Sequence, residues 1–301
     1  MDFKGIYAPV FTPIDDRAKI NPLVIPEYAK YLSKHGVHGI LVGGTTGEAV
    51  SLTLDERKEM LEHWVKEARP LGLKIISQVG GVPLPEVLNM ASFSEGLGVD
   101  AIMTLPELYF KPKTCERLVA YLDLVAKAAP SLPLLYYHFP MMSGVDVNIP
   151  EFFALATSKI PTFKGMKADL GVAVQVDNQI KPDQTIFIAN HMLAPSALVG
   201  HISSIATVTN MFPNLVKAVV EAVGTGDVIR ARFLQGELNN LVAGISAQGD
   251  FVPSMKAAME LTTGIRVGSP RLPQLPLEMS KRLRLANHLK NCGYSSIDSD
   301  D

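Results

Sequence analysis

Apolar and polar positions along this chain alternate between two periods. Short β-branched or apolar runs, the mark of buried strands, fall at 5–11, 38–43, 74–79, 99–105, 133–138, 163–167, 184–189 and 201–206. Between them apolar residues recur every three to four positions, which predicts helices at 26–34, 54–67, 84–97, 115–129, 150–157, 171–179 and 194–199, with another at 213–223. The start at 54 is signalled by Thr53 and Glu56, a capping box in which each residue satisfies the other's end of the first turn. Eight strand-helix units in about 225 residues have the size and rhythm of an α/β fold of the parallel (β/α)8, or TIM barrel, type. The competing doubly wound open sheet would carry Gly-x-Gly-x-x-Gly after its first strand, and that motif is absent.

Past the last strand-helix unit the pattern is helical without strands, at 228–241, 253–261 and 277–289, with Pro270, Pro273 and Pro276 marking the connection into the last helix. The expected organisation is a barrel over 1–226 and a C-terminal helical extension packed on it over 227–301. The acidic stretch from Ser295 to Asp301 reads as a mobile tail.

In such barrels the chemistry sits at the C-terminal ends of the strands. The sixth run ends in Phe163-Lys164-Gly165-Met166-Lys167. With the period of two of a strand, Phe163, Gly165 and Lys167 share an inward face, and Lys164 points outward, where its stem reaches solvent. Burying an ammonium is costly, and a neutral amine is a nucleophile towards carbonyls, so an inward Lys167 is a candidate catalytic group; the alternative is a strand-end lysine reaching water. The same alternation puts Tyr137 inside and Tyr136 outside, making Tyr137 either a packed aromatic or a proton relay beside an amine. After the second run, Gly43-Gly44-Thr45-Thr46-Gly47-Glu48 is either a plain glycine turn or a cradle whose hydroxyls and exposed amides hold an anion such as a carboxylate; as a phosphate site it lacks the lysine of a P-loop.

Composition narrows the classes. The chain has 301 residues, 47% hydrophobic and 19% charged, with 28 basic against 30 acidic side chains. That balance argues against nucleic acid or an anionic membrane as partner, and the basic cluster Lys281-Arg282-Leu283-Arg284 lies on a helical pattern as a solvated face. No run approaches 18 apolar residues and the N-terminus has no leader pattern. The two cysteines, Cys115 and Cys292, have no metal-ligand spacing around them, and no His/Asp/Glu cluster has it either. A cytoplasmic protein without a metal site is expected.

Taken together, Gly43-Gly-Thr-Thr-Gly-Glu48, Tyr137-x-x-Pro140 and Gly165-Met-Lys167 resemble, in order and spacing, the N-acetylneuraminate lyase and dihydrodipicolinate synthase family. The resemblance extends over most of the chain, including Tyr109 in Leu105-Pro-Glu-Leu-Tyr-Phe-Lys-Pro112 and the Pro270-Arg-Leu-Pro273 segment. It implies a pyruvate-dependent aldolase or lyase, usually a homotetramer, forming a Schiff base with a 2-oxo acid and using no cofactor. Carried over, Lys167 is the Schiff-base lysine and Tyr137 the proton relay. Thr45 and Thr46 hold the substrate carboxylate, and Tyr109 reaches a neighbouring subunit's site. Dihydrodipicolinate synthases carry an arginine two residues past the motif's proline; Met142 stands there, and Ser143-Gly-Val145 is similar to the lyase branch. Lyases in turn present an Asp-Glu pair after strand 7 and a Thr or Ser two residues past the lysine. Asn190-His191 and Asp169 occupy those places, and Ser203-Ser-Ile205-Ala-Thr207 replaces a glycine-rich loop. Asp169, Asn190, His191, Ile205 and Thr207 are therefore expected to contact a substrate tail that differs from sialic acid's. His191 has the alternative of a solvent-facing loop histidine. Other outcomes are a dehydratase using the same Schiff base, or a barrel that binds ligand without reaction.

Overall fold

The computed structural model describes residues 3–294, so the tail from Ser295 lies outside the described residues. Eight strands, β1 (Ile6–Pro9), β2 (Gly39–Val42), β3 (Lys74–Gln78), β4 (Ala101–Thr104), β5 (Leu134–Tyr137), β6 (Phe163–Ala168), β7 (Thr185–Ile188) and β8 (Ser204–Ile205), pair in parallel and in sequence order, and β8 returns to β1 to close a barrel. The surrounding helices are α1 (Ile25–Lys34), α2 (Leu54–Ala68), α3 (Leu84–Leu97), α4 (Cys115–Ala128), α5 (Pro140–Ser143), α6 (Ile149–Lys159), α7 (Leu170–Ala173), α8 (Leu193–Leu198) and α9 (Pro213–Gly224). Three more follow: α10 (Val228–Ser246), α11 (Phe251–Thr263) and α12 (Met279–Asn291). No described helix is long and apolar enough to cross a membrane.

Alternation along the strands sorts the core into two layers. Tyr7, Leu41, Ile76, Met103, Leu135, Phe187 and Ile205 fill the barrel interior, with Tyr7 and Phe187 in edge-to-face contact at 5.1 Å. The other face of each strand packs on the helices, in a continuous layer that also takes in Leu238 and Leu241 of α10, Met255 and Met259 of α11, and Leu285 and Leu289 of α12. The extension is also fastened by charge. Arg271 pairs with Glu56 and donates to Ala18 O, while within the extension the half-buried Arg282 of the basic cluster ties α12 to Glu260 of α11 at 2.6 Å.

Several boundaries differ from the sequence pattern. The segment 171–179 is not one helix: α7 is a single turn, followed by a 3₁₀ turn at Asp177–Gln179 as the chain prepares for Pro182, which biases the residue before it away from helix. Strand 8 shortens to two residues, and the unpredicted turn α5 starts on Pro140, whose fixed φ suits a first helical position.

The consequential difference lies in β6. Phe163 does not share the inward face with Lys167; it packs outward against Phe153, with ring centroids 5.4 Å apart. The pairing with β5 explains this, since Leu134 is opposite Phe163 while Tyr136 is opposite Met166, leaving one extra residue on β6. That bulge lies around Gly165, at φ 125°, where an added Cβ would stand 2.0 Å from Thr185 O of β7. Past the bulge the alternation resumes with Met166 out and Lys167 in, opposite Tyr137. Lys164, opposite the inward-facing Leu135 by this register, is half-buried and paired with Asp183 at 2.6 Å, so the simple alternation that set it outward does not hold there. Gly165→Ala combines a backbone clash with a disfavoured φ and is expected to cost about 2–5 kcal/mol. A urea-unfolding midpoint equal to wild type would show that the bulge relaxes without penalty.

Candidate active site

Lys167 ends up almost fully enclosed, at 5% exposure, in the barrel mouth. Its Nζ donates to Tyr137 Oη at 3.0 Å and lies 4.1 Å from the centroid of the same ring. Tyr137 Oη is in turn 3.1 Å from Thr45 Oγ1. With the phenol oxygen accepting from the lysine, its own hydrogen is free to pass to the threonine, so the three groups form a directional chain from amine to phenol to hydroxyl. Tyr136 faces the opposite way, buried against Phe152 at 4.8 Å, with its hydroxyl unbonded and its ionisation pushed upward by burial.

Thr45 and Thr46 come from the turn after β2. Gly43, at φ 78°, starts it in a conformation that suits glycine, and its carbonyl accepts from Gln78 Nε2 at 3.0 Å. Thr46 Oγ1 is 2.8 Å from Thr207 Oγ1, which brings the end of β8 against the same turn. Thr12 Oγ1 donates to Gly47 O at 2.6 Å, and the buried Glu48 carboxylate meets Lys256 Nζ at 2.7 Å. Four segments distant in sequence thus place Lys167, Tyr137, Thr45, Thr46 and Thr207 in one hydroxyl-rich mouth.

The remaining candidates are placed differently. Ile205 is fully buried in the barrel interior with Tyr7 and Phe187. Asp169 is exposed, and its Oδ1 caps α7 by accepting from Val172 N at 3.0 Å. Asn190 Oδ1 accepts from Met192 N at 3.0 Å, closing its own loop. His191 is half-buried, not a solvent-facing histidine, and burial holds its imidazole below the ordinary value. Its carbonyl is gripped by Gln235 Nε2 of α10 at 2.7 Å. Tyr109 stands 79% exposed against Phe110 and touches none of the Lys167 group within this chain. Among the described residues, no three His, Cys, Asp or Glu side chains gather at metal-holding distances.

Comparison with known proteins decides the lineage. The profile of the dihydrodipicolinate synthetase family matches residues 2–292. The chain belongs to that family. N-acetylneuraminate lyase of Xenopus tropicalis is 34% identical over 277 residues, covering 90% of each chain. The solved N-acetylneuraminate lyase of Proteus mirabilis superposes with a TM-score of 0.91 at 28% identity, over 97% of this chain and 99% of that one. A structure described as KD(P)GA from T. tenax superposes at 0.85 with 25% identity, over 96% and 98% of the two chains. The relatives are lyases of one barrel, and the family assigns this chain to enzymes.

Within that family frame, sequence reasoning missed two neighbours of Tyr137. Phe139 stacks on it, the rings 5.9 Å apart and parallel within 2°, so the phenol is walled on one side by an apolar face. The signal was available only as an aromatic two residues on, which alternation puts on the same face. His138 lies behind, 4% exposed with Nδ1 unbonded, and burial lowers its affinity for a proton while Asp146 and Asp169 oppose this. The folded state therefore binds less proton at His138 than the unfolded chain once pH falls through about 6.5, and stability is lost in that direction. His138→Gln is expected to flatten the fall in urea midpoint between about pH 7 and pH 5 relative to wild type. Parallel profiles for the two proteins would exclude His138 as the source.

Proposed function

We propose that this enzyme is a Schiff-base aldolase that cleaves a 2-oxo acid of the N-acetylneuraminate type to pyruvate and an aldehyde. The observation that carries the reading is the enclosed amine of Lys167 in contact with the phenol of Tyr137, itself bonded to Thr45. In this reading the Lys167 amine adds to the ketone carbon and water leaves to give an iminium. The iminium draws electrons from the adjacent carbon-carbon bond, which breaks to give an enamine instead of a free carbanion. The proton of the substrate hydroxyl is relayed by Tyr137 to the enamine carbon, and hydrolysis of the imine so formed frees pyruvate and the lysine. Thr45 and Thr46 hold the 2-oxo acid carboxylate, and Thr207 completes that wall. The exposed Tyr109 and Phe110 support an assembly, a homotetramer on the family resemblance, in which this loop reaches a neighbouring copy.

A second reading, a shorter or differently functionalised 2-oxo acid such as a 2-keto-3-deoxy sugar acid or 4-hydroxy-2-oxoglutarate, is favoured by one feature. Asn190 and His191 stand where an acidic pair would bind a sialic acid's hydroxyls, and the Asn190 oxygen is already spent on Met192 N.

Borohydride with pyruvate is expected to reduce a three-carbon adduct onto Lys167 and not Lys164, and Lys167→Ala to abolish it. Pyruvate release across N-acetylneuraminate, the 2-keto-3-deoxy sugar acids and 4-hydroxy-2-oxoglutarate then ranks the two readings. Adduct on another lysine, or on none, sinks both.

Tyr137→Phe is expected to lower turnover by about two to four orders of magnitude while the pyruvate adduct still forms, the range of a lost general acid-base group. Tyr136→Phe should leave turnover near wild type, because its hydroxyl bonds to nothing. Similar losses in both would remove Tyr137 from the proton path.

A further inference from the structure

We infer that Glu48 and Lys256 are positioning residues: their buried ion pair, with the Arg271 amide, lets the C-terminal extension set how tightly the 43–48 loop holds the 2-oxo acid carboxylate. The inference rests on the proposed role of Thr45 and Thr46 and deepens it.

Three observations carry it. The first is depth. Glu48 Oε1 and Lys256 Nζ are 2.7 Å apart with both side chains at 2% exposure or less. Opposite charges at such depth are costly to separate, so the pair behaves as a rigid pin instead of an adjustable surface contact. Burial pulls the Lys256 ammonium below the ordinary lysine value, and the charge of Glu48 pushes it back up.

The second is strain. Glu48 sits at φ 53° and ψ 30°, the left-handed region that a non-glycine residue occupies only when its surroundings hold it there. Its carboxylate does the holding: Oε1 meets Lys256, and Oε2 accepts from Arg271 N at 2.9 Å. Losing either contact releases a backbone that would otherwise relax, two residues from Thr46.

The third is convergence. Lys256 Nζ also donates to Thr12 O at 3.0 Å and Ser269 O at 3.1 Å, and the same Thr12 donates through Oγ1 to Gly47 O. One ammonium from α11 thus ties the end of the 43–48 loop, the segment after β1, and the Arg271 segment into a single knot. Arg271 continues it outward to Glu56 of α2 and to Ser51 O. The Thr45 and Thr46 hydroxyls therefore reach Tyr137 and Thr207 from a loop whose far end is set by residues over 200 positions away.

The test is the dependence of borohydride trapping at Lys167 on pyruvate concentration, which separates half-saturation from maximal rate. Glu48→Gln and Lys256→Met are each expected to raise half-saturating pyruvate about 10- to 100-fold, the scale of misplacing a positioning group by about an ångström, with the maximal trapping rate near wild type. The double variant removes both charges, is expected to show a smaller rise than either single, and serves as the deciding protein where a single fails to fold. Thr45→Val and Thr46→Val run alongside. Wild-type half-saturation in the threonine variants overturns the reading of the loop and this inference with it. A rise in the threonine variants with wild-type half-saturation in the charge variants, or a fall confined to maximal rate there, overturns this inference alone.

Discussion

Thr185 O lies where residue 165 would carry a side chain, and the arrangement at the barrel mouth depends on that crowding. Because glycine is there, β6 accommodates one residue more than β5 and still meets β7 through Gly165, Met166, Lys167 and Ala168. The extra residue resolves a conflict that a regular strand could not. Phe163 is needed outside, among Phe152 and Phe153, and Lys167 is needed inside, yet an even spacing would put them on one face. The bulge reverses the alternation between them at the cost of a single φ that glycine adopts freely. Register then does the rest: Lys167 falls opposite Tyr137, and the amine has the phenol directly in reach.

How much of this was legible follows from the range of each interaction. Alternation is local, so Tyr137 inside and Tyr136 outside could be read from a few residues of β5, whereas Lys167 was set inward on a parity with Phe163 that the structure breaks. The bulge could not be read in this way, because a pattern of apolar residues carries no φ; Phe163 looked inward for that reason. The capping box at Thr53 and Glu56 is present as read, with Glu56 also recruited by Arg271, a partner 215 positions away that no local pattern names. Asp169 and Asn190 show a use that the residue pattern did not name. Both were weighed as groups for a substrate, and both serve the backbone of their own loops, a competing use that short polar side chains take readily at helix starts and turns. Lys256 was missed although its signal resembled that of Lys167: a lone ammonium inside the apolar run Val252-Pro-Ser-Met-Lys-Ala-Ala-Met259. What the sequence lacked was its counter-charge, which lies in a motif already assigned to another purpose.

On the proposed reading of the 43–48 loop, the extension is part of the site as well as a cover. Its helices share the outer core with the barrel, and its polar contacts reach Glu48 at the end of the 43–48 loop, Ser51 O just past it and His191 O after β7. A barrel ending at α9 would keep Tyr137 and Lys167, which come from β5 and β6, but would leave Glu48 without its opposite charge.

That counter-charge also bears on what the mouth can accept. On the proposed reading, the 43–48 loop must hold an anion, yet its own sequence carries a carboxylate at Glu48. Like charges a few ångströms apart in a poorly solvated site repel strongly, and an uncompensated Glu48 would work against the substrate that Thr45 and Thr46 are meant to bind. The geometry removes the conflict by turning Glu48 away from the hydroxyls and committing both its oxygens, one to Lys256 and one to Arg271 N. The hydroxyls of Thr45, Thr46 and Thr207 are left as neutral donors beside the Lys167 amine. The left-handed turn at Glu48 is the conformational cost of that rotation, and the buried pair is what keeps it in place.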